Sequence, residues 1–208
     1  MQTARDSLAS RNRLARFHQS RGVLYQVAAR LLGGPPSPEL ARILGQDIEE
    51  ACKVLGPQGA EPWTAVSRTL RAVGDRAPDG AQLPPRPTGA DDIAEARPGW
   101  EDTADRFRPE LLRKARNHAV TLAESSQRAA TALWRSDLTR AAELAENQAL
   151  LLHGPVGEEL LAIADQLAAP PEGPPSGLDD LVCQLGNAVV QLVVHDRELL
   201  VPHFDTVP

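Results

Sequence analysis

Aromatic side chains are scarce in this sequence: three Trp, three Phe and a single Tyr make up 3% of its 208 residues. Leu, Val and Ala must therefore do most of the packing. Cysteine is scarcer still. Cys52 and Cys183 stand far apart and outside any C-x-x-C pair, which argues against a disulfide framework and for buried thiols in a reducing compartment. No apolar run approaches the roughly 20 residues of a membrane-spanning helix, so no membrane insertion is expected. The start, Met1 to Arg16, carries no apolar stretch of the kind a secretory signal needs, and the chain is expected to act in the cytoplasm. Basic charge is not in excess either. The 28 acidic and 22 basic residues leave a net charge of −6, which disfavours nucleic acid as a partner. The one basic cluster, Arg5, Arg11, Arg13, Arg16 and Arg21, reads as a solvated helix face. No segment alternates with period two, so no sheet is expected.

The usual marks of catalysis are missing as well. There is no G-x-x-x-x-G-K-[ST], no G-x-G-x-x-G, no G-x-S-x-G and no H-E-x-x-H. None of the histidines, His18, His118, His153, His195 and His203, has a glutamate three residues before it, so the Glu-x-x-His pattern of di-iron bundles is absent. Acid pairs such as Glu49-Glu50, Glu158-Glu159 and Asp179-Asp180 lie on adjacent helical positions that diverge by roughly 100°. They read as solvated charge, with Asp179-Asp180 complementing a helix dipole. The expectation is a protein with no catalytic residues, no metal site and no cofactor. A helix-turn-helix is disfavoured, because the first helical joint is Gly-Gly-Pro-Pro and the helix after it carries Asp47, Glu49 and Glu50.

What is present is helical periodicity. Leu24, Val27, Ala28 and Leu31 form one apolar face that stops at Gly33-Gly34-Pro35-Pro36. Ser37 and Pro38 then open a second helix to about Leu55, with Leu40, Ile43, Leu44, Ile48 and Leu55 inward. A third is expected over Pro62 to Val73. From Gly74 to Gly99 the chain is rich in Pro, Gly and Asp and shows no period, so a mobile surface loop is expected there. Helicity resumes near Trp100 and runs to Trp134 with a break at Pro109. It restarts at Ser136 or Asp137, with Leu138, Ala141, Ala145 and Leu152 on the buried side up to His153. Two more helices follow, one carrying Leu160, Ile163, Ala164 and Leu167, the other running from Leu178 and ending before Pro202. The sequence thus predicts one all-α domain over residues 1–208, a bundle of about seven helices with a long Pro/Gly-rich internal loop at 74–99.

Two stretches carry a further signal. The first, Arg21-Gly-Val-Leu-Tyr25 through Glu39-Leu40, combines an arginine, a Leu-Tyr pair, an apolar stripe, a Pro-rich stop and a Glu-Leu helix start. The second runs from Arg135-Ser-Asp137 through Ala141, Leu144 and Gln148 to Leu151-Leu152, and the closing helix adds His195-Asp196 and Leu199-Leu200. Both resemble the TorD/NarJ-type chaperones that assist assembly of molybdenum-cofactor oxidoreductases. The likeness covers about half the chain. In its register, Leu151 stands where the family has phenylalanine, Pro155 where it has histidine and Glu159 where it has tryptophan. The family's central Asp-His pair has no counterpart here.

The resemblance implies a non-enzymatic helical chaperone in the cytoplasm. Such a protein binds an apo-oxidoreductase subunit, or its N-terminal signal peptide, until cofactor is loaded. The partner-binding residues it suggests are Arg21, Tyr25, Gln148 and His153, around a groove between the Arg21–Leu32 helix and the 138–167 helical pair. The residues alone keep other readings open. Arg21 grips a carboxylate or is exposed; Tyr25 anchors a client or belongs to the core; Gln148 faces a groove or solvent; His153 caps a helix or touches a client. A helical adaptor for another client, or a small-molecule-binding bundle, fits the same composition.

Overall fold

A computed structural model describes residues 2–75, 107–170 and 177–202. Seven α-helices make up almost all of them: α1 (Gln2–Leu32), α2 (Pro38–Cys52), α3 (Pro57–Gly74), α4 (Pro109–Trp134), α5 (Leu138–His153), α6 (Pro155–Ala168) and α7 (Gly177–Leu199). No strand occurs among the described residues, and none of the helices is long and apolar enough to cross a membrane. The all-α bundle expected from periodicity is what forms.

The helix starts follow local chemistry. Ser37 Oγ accepts the Leu40 N–H at 3.2 Å, with Pro38 in the first turn of α2. That proline has no N–H to leave unsatisfied. Asp137 Oδ1 does the same for the Arg140 N–H of α5 at 3.0 Å. α3 begins earlier than Pro62. Pro57 sits in its first turn, so the helix starts there and carries Pro62 inside it. α4 starts at Pro109, where a break was expected; residues 100–106 of the helix expected from Trp100 fall outside the described residues, as does the loop expected at 74–99 apart from Gly74, which ends α3, and Asp75.

The longest helices, α1 and α4, run antiparallel. Ala15 clusters with Ala129, Ala132 and Leu133, while Gly22 lies against Ala123, Ser126 and Gln127, and Gly33 beside Arg116. α2 packs on α3 and α1, α3 on α7, α6 on α7, and α4 on α5 and α6. One continuous apolar core draws side chains from all seven helices, among them Leu24, Ile48, Trp63, Leu122, Leu152, Leu160 and Leu185. The α6–α7 crossing is close: a Cβ on Gly186 would stand 2.4 Å from the Ala168 nitrogen and 2.6 Å from the Ala164 oxygen. Only glycine admits backbones this close.

Five expected positions come out differently. Leu138, placed on the buried side by its period, is 59% exposed, because it begins α5 beyond the end of α4. Leu40 and Ile43 are half-buried and line a cleft, Leu40 from the edge of the core. Both cysteines are half-buried thiols outside any disulfide rather than fully buried ones. Burial and the nearby Glu49 carboxylate push the Cys52 thiol up to about 11, so it stays protonated and unreactive near neutrality.

Candidate functional site

Arg21 and Tyr25 lie one turn apart on α1, and both are completely buried. They meet Asp196 of α7, also completely buried. The Tyr25 hydroxyl donates to Asp196 Oδ2 at 2.8 Å, and Arg21 Nε forms an ion pair with Oδ1. The Arg21 guanidinium lies over the Phe17 ring, 3.6 Å from its centroid, a cation–π contact at i, i+4. Its Nη1 and Nη2 have no hydrogen-bond partner among the described residues. Burial pushes the Asp196 carboxyl up to about 6, against the pull of Arg21 and the Tyr25 hydroxyl. Burial, and after it the Asp196 charge, also holds the Tyr25 phenol well above its usual range.

His18, one turn before Arg21 on the same helix, is buried too. Burial and then the Arg21 charge lower it to about 4, although Gln148 opposes the shift. Gln148 is fully buried and donates from Nε2 to the Ser126 hydroxyl, tying α5 to α4. The polar side chains of this region therefore bind helices to one another. They form a structural bolt across α1, α4, α5 and α7.

Of the expected partner-binding residues, Arg21, Tyr25 and Gln148 are thus interior, and only His153 is at the surface. The basic cluster is not uniformly solvated either, because Arg21 departs from it into the core. His153 Nε2 lies 3.2 Å from the carbonyl oxygens of both Arg197 and Leu200, and Arg197 Nε donates back to the Leu152 oxygen at 2.8 Å. This pairing fastens the end of α5 to the end of α7. A second surface tie joins α4 to α6, where the Glu159 carboxylate takes His118 at 3.0 Å and Lys114 at 3.7 Å. The hydrogen bond from His118, and next the Lys114 charge, hold Glu159 below the usual carboxylate range.

The groove expected between α1 and the α5–α6 pair does not open, because α4 packs against all three. A cleft of about 590 Å³ opens instead on the other side of α1, between α1, α2 and α4. Its floor is apolar: Val27, Leu44 and Ala130 are buried, and Val23, Leu40 and Ile43 half-buried. Gln19, Gln26, Gln127 and Thr131 edge it, with Arg30 and Asp47 at its α1–α2 side. Trp134, 46% exposed, stands at the rim where α4 ends. Sequence reasoning missed Trp134 as a surface residue and Val23 and Ile43 as cleft-lining ones. For Trp134 the available signal was a large apolar residue one step before a charged turn, at the end of a helix.

No set of three or more His, Cys, Asp or Glu side chains placed to hold a metal ion occurs among the described residues. The cleft offers apolar contact and amide or hydroxyl hydrogen bonds, which suits binding of a side chain or an amphipathic segment. The chain matches no protein-family model, no curated protein and no solved structure.

Proposed function

We propose that this chain is a cytoplasmic chaperone for redox-enzyme maturation, one that holds an apo molybdenum-cofactor oxidoreductase subunit or its signal peptide before cofactor loading. One observation carries the reading. The first stretch that resembles such chaperones, Arg21 to Leu40, supplies the Val23, Gln26, Val27, Arg30 and Leu40 wall of an open, apolar-floored cleft. A second point is consistent with it. Arg21, Tyr25 and Asp196, three residues that bear the likeness in sequence, meet in one buried cluster that fixes α1 against α7. The cleft, not the cluster, is where a client side chain would seat. Affinity for a segment would come from a few buried anchors, with Trp134 the exposed aromatic best placed to act as one.

A cleft of this volume also falls in the range of small-ligand pockets. Calorimetry separates the readings. Signal-bearing oxidoreductase precursors are expected to bind the purified protein, and Trp134→Ala is expected to weaken that binding without lowering the melting temperature. If no precursor binds, the chaperone reading is abandoned for an adaptor with another client or for a ligand-binding bundle.

A further inference from the structure

Across the Gln127 and Thr131 ridge from the cleft lies a second hollow, of about 580 Å³, between α4 and α5. The two concavities share those two residues, so they form one continuous surface. Their chemistry differs. The cleft is apolar-floored, whereas the hollow is edged by Arg128, Arg135 and Arg140. We infer that the occupant of this joined surface is an acidic amphipathic polypeptide segment, with an apolar side chain in the cleft beside Trp134 and carboxylates on these arginines. The inference rests on the polypeptide-binding reading and narrows the client to an acidic segment of the subunit itself, since a signal peptide opens on a basic region.

Charge complementarity carries the argument. The whole chain bears a net charge of −6, yet around this hollow Arg13, Arg16, Arg128, Arg135 and Arg140 outnumber the carboxylates of Glu124, Asp137 and Glu143. Arg13 and Arg16 of α1 are exposed here, since Ala15 between them packs on Ala129 and Leu133 near the end of α4. Within the hollow, Asp137 is engaged by the Arg140 N–H at 3.0 Å. Arg128 pairs with Glu124 at 3.0 Å and Arg140 with Glu143 at 2.8 Å, all four side chains more than half exposed. Such surface pairs are weak and screened, so an incoming carboxylate can replace them. Arg135 has no carboxylate partner among the described residues.

The turn that presents Arg135 is built for a sharp stop. The Asp137 N–H reaches the Ala132 oxygen at 3.0 Å and the Ser136 N–H reaches Leu133 at 3.1 Å, with Ser136 at φ 62. This is the glycine-type helix ending, made here with a serine. It holds the Arg135 backbone at the lip of the hollow rather than letting the helix continue. Planar guanidinium groups match carboxylates in a two-point geometry. A polyanionic nucleic acid or an anionic bilayer would use the arginines but leave the apolar floor of the cleft unfilled. Either would also approach a protein whose overall charge repels it.

The test is selection of a displayed random peptide library on the immobilised full chain, followed by fluorescence anisotropy with the recovered consensus. The consensus is expected to place two or more Asp or Glu within a few residues of a Leu, Phe or Trp. The combined Arg128→Ala, Arg135→Ala, Arg140→Ala variant, folded by circular dichroism, is expected to bind it roughly tenfold more weakly, and the loss to shrink as salt is raised. A basic or uncharged consensus would overturn the acidic preference and leave the polypeptide-binding reading standing. So would an acidic consensus that the triple variant binds as tightly as the native chain. Tighter binding of a single-stranded oligonucleotide, or of vesicles containing anionic lipid, than of the selected peptide would also overturn it. Failure to enrich any peptide would remove both readings together.

Discussion

Removing the Asp196 carboxylate should be among the most damaging single changes in this protein. The Asp196→Ala variant leaves Arg21 charged and wholly buried, with no counter-ion, and strips the Tyr25 hydroxyl of its acceptor. Breaking one side of a buried ion pair costs about 3–5 kcal/mol, because the remaining charge has lost both water and partner. The cation–π contact with Phe17 at 3.6 Å remains and moderates the loss. Against a total stability of about 5–15 kcal/mol for a domain, this is a large fraction. For a chain of this size, each kcal/mol moves the melting temperature by roughly 2–4 °C, so a fall of about 6–20 °C is expected. Urea unfolding followed by circular dichroism gives the free energy directly. The double change Arg21→Met with Asp196→Leu should recover much of the loss, since apolar replacement of a whole buried pair is often neutral. Two results would refute the reasoning: a loss below about 1 kcal/mol for Asp196→Ala, the value of a solvated pair, or a double variant no better than the single one.

The same cluster sets a pH dependence with two opposed parts. The Asp196 pKa is raised from 3.8 to about 6, so the folded state takes the proton first, and this group's contribution to stability falls as pH rises through that window. His18 is lowered from 6.5 to about 4, so its contribution is full above 6.5 and is lost as pH falls towards 4. Urea midpoints across this range are expected to vary little in the native chain, to rise with pH in Asp196→Asn and to fall with pH in His18→Gln. Gly186→Ala should destabilise by about 1–3 kcal/mol or more, because the added carbon meets the backbone of α6, which has no rotamer by which to yield; an unchanged melting temperature would mean the helices slide apart freely. Ser136→Gly should stabilise by up to about 1 kcal/mol, since it relieves a left-handed serine, and a scanning calorimeter reads the shift. Trp134→Ala should leave the melting temperature within about 1 °C of native while weakening client binding, as expected of a half-exposed rim residue.

Helix existence was legible in the sequence because each helix carries its own signals. The Ser37-Pro38 start, the Gly-Pro joints and the stripe of Leu181, Val182, Leu185, Ala188, Val189 and Leu192 all act within a turn or two of chain. Those local rules named the elements of an all-α bundle, and the structure holds them nearly where expected. They failed at Leu138 and Ile43, where the period says inward but neighbouring helices leave the first exposed and the second only half covered. Which faces meet depends on how helices cross, and crossing is a property of the assembled bundle. The same limit governs the site. Nothing near Arg21 in sequence announces that its partner is Asp196, 175 positions away, or that both will be cut off from water. Local context therefore offered a gripping arginine and an anchoring tyrosine, whereas packing turned both into a buried bolt. The cleft and the arginine-edged hollow likewise exist only because α4 lies between α1 and α5 and ends at Trp134. Composition and period determined that this chain folds as helices; the antiparallel seating of α1 on α4 decided which of its residues remain outside to bind.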